Sequence, residues 1–162
     1  MMRLREAMGL SVVARDTAET VGQLHGAVVD VATRHIVALQ VGKGHKARLA
    51  DWSSVTGVGP DAAVVDSGAS LRAGRGDREE RMVKGDIALL GGRVLTDRGD
   101  VLGALDDVEF DEESGEIQAL VCAGVSIAAA RLRAVGGYAV VVAAEQSVSG
   151  GDGSASGELG PA

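Results

Sequence analysis

Residues 97–111 read DRGDVLGALDDVEFD, and residues 16–30 read DTAETVGQLHGAVVD. Laid 81 positions apart, the two stretches share an opening aspartate (Asp16, Asp97), a glycine six residues in (Gly22, Gly103), a leucine (Leu24, Leu105) and a closing aspartate (Asp30, Asp111). The same offset joins Val13 to Val94, Ile36 to Ile117, Ala38 to Ala119 and Leu39 to Leu120. Farther on the register shifts by four, pairing Val55 with Leu132, Val58 with Val135 and Gly59 with Gly136. The extra residues of the first copy then belong in loops, in GKGHK and around Pro60-Asp61, where insertions are tolerated. A shared spacing of this length reads as an internal duplication.

Within each copy the local signals are β. VVAR (12–15) and RVLT (93–96) are short strands that end in polar turns. The strands that follow are each interrupted by a glycine, Gly22 or Gly103, at a place that suits a bulge or a close backbone approach. HIVALQV and EIQALVCAGV return as strands, and the copies close on AAVVD and YAVVVA. Strands this short hide their edges best by closing into a barrel. Copies of this size are marginal folding units, so the two are expected to pack together.

The bulk composition agrees. The chain has 24 glycines, one Phe, one Tyr and one Trp. Such a core of small aliphatic residues suits short strands and tight turns. MMRLREAMGL carries no apolar signal-peptide core, and the longest uncharged run, Ile117–Ala130, is shorter than the roughly 20 residues of a spanning helix. Cys122 is the lone cysteine, which rules out an internal disulfide and suits the cytoplasm. The net charge of −7 is uneven, with residues 1–69 balanced and residues 87–142 at −5. An acidic chain repels phosphate backbones, which disfavours nucleic acid as a general partner.

The carrying residues Val13, Asp16, Gly22, Asp30, Ile36, Ala38 and Leu39, with Val94, Asp97, Gly103, Asp111, Ile117, Ala119 and Leu120, resemble the pattern of PRC-barrel domains. The resemblance covers about residues 7–66 and 88–143. It implies a mainly β protein, with two small antiparallel β-barrels packed together. The expected boundaries are a first barrel at 1–69, a charged linker at 70–86 with a helical turn or two, a second barrel at 87–143 and a disordered Gly/Ser-rich tail at 144–162. Members of the family include the cytoplasmic part of the photosynthetic reaction-centre H subunit and half of a ribosome-maturation factor, where the barrel contacts a ribosomal protein. The resemblance therefore implies a bacterial-type, cytoplasmic protein-interaction or scaffolding module, not an enzyme, with no catalytic residues and no cofactor. The alternatives are an RNA- or ribosome-associated assembly factor and a small-ligand or metal sensor.

The candidate partner-binding residues are Lys43, His45, Lys46 and Arg48, the basic patch of an otherwise neutral half, together with Trp52. An acidic protein, or another copy of this chain, would suit such a patch. Trp52 has a second reading, as a plug packed at one end of the first barrel. DDVEFDEESGE (106–116) fails as an EF-hand because the sixth position from Asp107 is Glu112 and not glycine. His25, His35 and His45 have no Cys or acidic cluster to complete a metal site. No nucleophile elbow and no C-x-x-C motif occurs.

Overall fold

The computed structural model describes residues 1–145; the tail expected to be disordered lies, from residue 146 on, outside the described residues. The described chain is mainly β, with two short helices and two sheets. In order it runs β1 (Met2–Arg3), α1 (Leu4–Ala7), β2 (Ser11–Ala14), β3 (Glu19–Asp30), β4 (His35–Val41), β5 (Arg48–Asp51), β6 (Val55–Val58) and β7 (Ala62–Val65). After α2 (Gly76–Lys84) come β8 (Arg93–Thr96), β9 (Val101–Phe110), β10 (Ile117–Cys122), β11 (Val125–Ala128), β12 (Leu132–Val135) and β13 (Val140–Val142).

The first sheet has the order β5-β4-β3-β2-β7-β6 and the second the order β11-β10-β9-β8-β13-β12. These are the same order, strand for strand. All pairs are antiparallel except β2 with β7 and β8 with β13, which run parallel. This corrects the expectation of wholly antiparallel sheets. The cause is the path of the chain: β5 passes through a one-turn 3-10 helix (Trp52–Ser54) into β6, and the β6–β7 hairpin then brings β7 back alongside β2. A matching turn, Ala129–Arg131, joins β11 to β12. The ends of each strand order are thus linked by three residues of chain, with no ladder between them among the described residues.

Gly22 and Gly103 occupy one structural position. Val12 pairs with Gly22 and Val94 with Gly103, each pair beside a bulge. Both glycines have positive φ, 153° and 134°, which side-chain-bearing residues rarely adopt. These ladders also adjust the sequence alignment by one residue. Val12, not Val13, stands where Val94 stands, and Arg15 donates to Val65 O as Asp97 donates to Val142 O. Asp16 and Asp97 are therefore not equivalent. Counted between matched ladder pairs, Val13–Thr20 encloses one residue more than Leu95–Val101, so the offset is 82 in β2 and 81 through β3 and β4.

The buried apolar side chains of both halves join one core cluster, from Leu4, Val12, Leu24, Ile36 and Leu39 through to Leu105, Phe110, Leu120 and Leu132. The N-terminal segment, placed by sequence in the first half, belongs partly to the second. Met2 pairs with Phe110 and Arg3 with Glu109, so β1 adds to β9. Residues 70–86 are anchored as well as charged: Arg72 bridges to Leu49 on the edge of β5, and Met82 of α2 is buried. Helix α2 carries Asp77 and Glu79 in its first turn and Arg81 and Lys84 in its last, the arrangement that opposes the helix dipole favourably. It stops at Gly85, which takes the left-handed C-terminal conformation.

Candidate functional site

The basic loop is formed by the β4–β5 connection. Gly42 and Gly44 take positive φ, 79° and 71°, and let the chain turn over a single 3-10 turn at Gly44–Lys46. Ala47 is buried beneath the turn, and Lys43, His45, Lys46 and Arg48 are all exposed. Among the described residues none of the three cations Lys43, Lys46 and Arg48 takes part in a salt bridge. The local fold thus uses small residues for the turn and leaves the charges in solvent. Helix α2 packs beside the loop, bringing its own carboxylates Asp77, Glu79 and Glu80 along with its basic groups.

Arg72, the first linker arginine, is committed elsewhere. Its guanidinium meets Asp51 at 2.8 Å and Glu79 at 2.8 Å, joining β5 to α2. Hydrogen bonds from Arg72 hold the carboxyls of Asp51 and Glu79 below the usual range, and the two carboxylates in turn raise Arg72. This pairing removes Arg72 from any basic face shared with Lys43, Lys46 and Arg48. It therefore weighs against the RNA reading.

Trp52 is half-buried and contacts the second half. Its ring meets Phe110 edge-on, centroids 6.4 Å apart, and its indole N–H donates to Glu113 O at 3.3 Å. Gly115 lies under the ring: a Cβ there would come within 3.0 Å of the indole and 2.9 Å of Ile36 O. Next to this contact, Ile36 N–H donates to Gly115 O and Ile117 N–H donates to Arg34 O, both at 2.8 Å. Arg34 reaches across the other way, its guanidinium donating to Ala130 O at 3.2 Å, while its buried Nε has no hydrogen-bond partner among the described residues.

The paired aspartates Asp30 and Asp111 shape these hairpin ends. Asp30 accepts from Ala32 N–H and the Thr33 hydroxyl; Asp111 accepts from the N–H groups of Glu113 and Ser114, which lower its pKa. Of the other aspartates, Asp97 accepts from Ala144 N–H, and Asp16 is exposed in the turn after β2.

The acidic run that makes the second half negative largely holds the N-terminal segment. Asp107 is buried and accepts from Arg5 N–H and from its neighbour Val108 N–H, each at 2.9 Å. Glu109 pairs with Arg3 at 2.9 Å, and Asp106 O accepts from Arg5 Nε. The sequence offered no signal for this docking, because a two-residue strand and its distant partner leave no periodicity. Cys122 is buried, and burial, then the nearby Asp106 charge, pushes its thiol up. Among the described residues no group of three or more His, Cys, Asp or Glu side chains is placed to hold a metal, and no helix is long and apolar enough to cross a membrane.

A cavity of about 260 Å³ lies between the halves, lined by Leu4, Met8, His25, Gln40, Met82 and Ile87 among others. It falls below the roughly 300–1,000 Å³ of ordinary small-molecule sites. Gln40 supplies a polar side chain, but its amide already donates to Gly42 O. Compared with models of known protein families and with curated proteins, the chain matches none.

Proposed function

We propose that this chain is a non-enzymatic protein-interaction or scaffolding module of the PRC-barrel type, working in the cytoplasm. On this reading the two sheets are barrels that arose by internal duplication. The shared strand order, the bulge glycines Gly22 and Gly103 and the turn-forming Asp30 and Asp111 support that reading. The observation that carries the function is the exposed basic loop. Lys43 and Lys46 stand on one short, glycine-framed turn and Arg48 opens the strand after it, with none of the three in a salt bridge among the described residues. Charges placed so raise the association rate with an acidic protein surface and suppress basic competitors.

Co-purification followed by mass spectrometry tests it, comparing the parent chain with the triple variant Lys43→Glu, Lys46→Glu, Arg48→Glu. The expected result is loss of a specific acidic partner with an unchanged circular dichroism spectrum. An identical set of partners from both proteins removes the basic loop from the function.

A further inference from the structure

The strand pair β3–β4 and its counterpart β9–β10 carry different side chains at one matched place. Gly26 pairs with Gln40 in the first half, and Asp107 pairs with Val121, each 81 positions on, in the second. Asp107 fills its place with a buried carboxylate that accepts from Arg5 N–H at 2.9 Å. Gly26 has no side chain, and Gln40 Oε1 lies over it, 3.3 Å from where a Cβ would stand. The chain opposite differs to match. Leu10 N–H donates to Ala7 O as Gly92 N–H does to Leu89 O, an offset of 82 that sets Ile87 where Arg5 stands. Ile87 N–H turns instead to Arg81 O at 3.3 Å.

This difference accounts for the cavity of about 260 Å³ between the halves, whose wall includes Gly26, Gln40 and Ile87. Gln40 is only 7% exposed. Its amide orientation is fixed, because Nε2 donates to Gly42 O at 3.1 Å and a carbonyl oxygen can only accept. Gly26 lines the cavity and Gly42 does not, so Oε1 is the acceptor on the cavity side. No donor among the described residues reaches that oxygen. Leu4, Met8, Met82 and Ile87 make the wall largely apolar, and among the described residues no carboxylate, lysine or arginine lines it. His25 stands exposed at the rim. With Met8 it also lines an adjoining pocket of about 200 Å³, which gives the cavity a path to solvent.

We propose that this cavity binds a small, uncharged aromatic molecule carrying one N–H or O–H donor, which hydrogen-bonds to Gln40 Oε1 as Arg5 N–H does to Asp107. Volume sets the size. An apolar cavity of about 150 Å³ already takes benzene, so this one takes a single ring or a fused pair and excludes a drug-sized ligand. The wall sets the charge, since an ion would lose its hydration there without a partner of opposite sign. Two thioethers favour an aromatic ligand: the unbranched side chains of Met8 and Met82 adapt to a flat ring, and their sulfurs are attracted to its edge. Gln40 sets the polarity, because a buried acceptor facing a ligand with no donor stays unsatisfied. This proposal is independent of the basic loop and of any protein partner.

Two isomeric probes test it: 3-methylindole, which keeps the ring N–H, and 1-methylindole, which lacks it at equal size. In isothermal titration calorimetry of the full chain, 3-methylindole is expected to bind at least about tenfold more tightly. Its addition is expected to shift the amide NMR signals of Gly26 and Gln40 and to leave those of Asp107 and Val121 in place. Gln40→Leu keeps the volume and removes the acceptor, so the two isomers are expected to bind that variant within about twofold of each other. Gly26→Ala, which sets a methyl against the same oxygen, is read in its stead where Gln40→Leu does not fold, with the same expected loss of preference. Failure of both isomers to bind the full chain overturns the proposal, as does equal binding of the two. A preference that persists in the variant read overturns it as well, since the donor would then meet another acceptor.

Discussion

His35 and Glu116, 81 positions apart in the chain, face each other across an isolated antiparallel bridge between the two halves. The hydrogen bonds on either side of them are reciprocal, Ile36 to Gly115 and Ile117 to Arg34. Each donor and each acceptor is also 81 positions from its counterpart. The backbone contact between the halves is therefore symmetric about this pair. Its side chains are not, and the first expected outcome rests on that difference.

Gly115→Ala is expected to destabilise the protein by about 2–4 kcal/mol, combining a left-handed φ with overpacking against Ile36 O and the indole. Trp52→Ala alone should cost about 2 kcal/mol, because the ring is half-buried and loses both Phe110 and Glu113. In the double variant the cost of Gly115→Ala should fall, since the ring is gone while the backbone strain remains. Urea unfolding followed by circular dichroism measures all three. Strict additivity would exclude direct contact between ring and glycine.

Gly22 and Gly103 share a bulge position but not its surroundings. A Cβ on Gly22 would stand 2.6 Å from Val41, whereas one on Gly103 meets nothing nearer than 3.5 Å. Gly22→Ala should therefore cost about 1–3 kcal/mol more than Gly103→Ala, the excess being overpacking. Val41→Ala should recover much of that excess. A comparison of urea midpoints at constant m-value checks the order.

Arg72→Ala should cost about 2 kcal/mol at pH 7, through the lost charged hydrogen bonds to Asp51 and Glu79. The pH dependence has a definite sign. Both carboxyls titrate lower in the folded chain than unfolded, so their contribution is complete above about pH 5 and is lost as pH falls below their unfolded values. The gap between parent and variant should narrow on acidification toward pH 3. Arg72→Lys should recover only part of the loss, because an ammonium cannot span two carboxylates as a planar fork does. A constant gap from pH 7 to pH 3 would exclude this pairing as the source of the stability.

Asp107→Ala leaves Arg5 N–H and Val108 N–H without their carboxylate acceptor beside Phe110. The expected cost is about 1–3 kcal/mol. Removal of residues 1–8 should produce a loss at least as large, because it also uncovers the β9 edge and empties the place of Leu4. Thermal unfolding of the two variants checks this. A truncated chain as stable as the parent would show that the N-terminal segment is dispensable.

Much of the β architecture could be read from β3 and β9, because a glycine bulge and a closing aspartate are demanded by backbone geometry and so leave a fixed spacing. The alignment slipped by one residue at β2 because both following turns contain an aspartate, and Asp16 and Asp97 matched by composition alone. The basic loop was legible as an exposed turn. Trp52 was legible only as an exception, since nothing local tells a ring facing a partner from one facing the other half. In the sequence Asp106, Asp107 and Glu109 showed only a negative run that fails as an EF-hand, yet the first two accept backbone N–H groups and the third pairs with Arg3. Arg5 and Arg3, the partners of Asp107 and Glu109, are about a hundred positions away, and Ala123, the partner of Asp106, lies on the far side of β10, all beyond the reach of a local pattern.

The contact between the halves pairs large with small in opposite senses. Trp52 covers Gly115, while at the equivalent positions Arg34 reaches over the Ala129–Arg131 turn. Two copies of the first half, brought together through the same backbone bonds, would set an arginine Cβ against each indole. Two copies of the second would set glycine against alanine and leave a void on both sides. The interface is therefore handed: each half is built to accept the other and to reject itself, so the chain's two parts function as a fixed unlike pair.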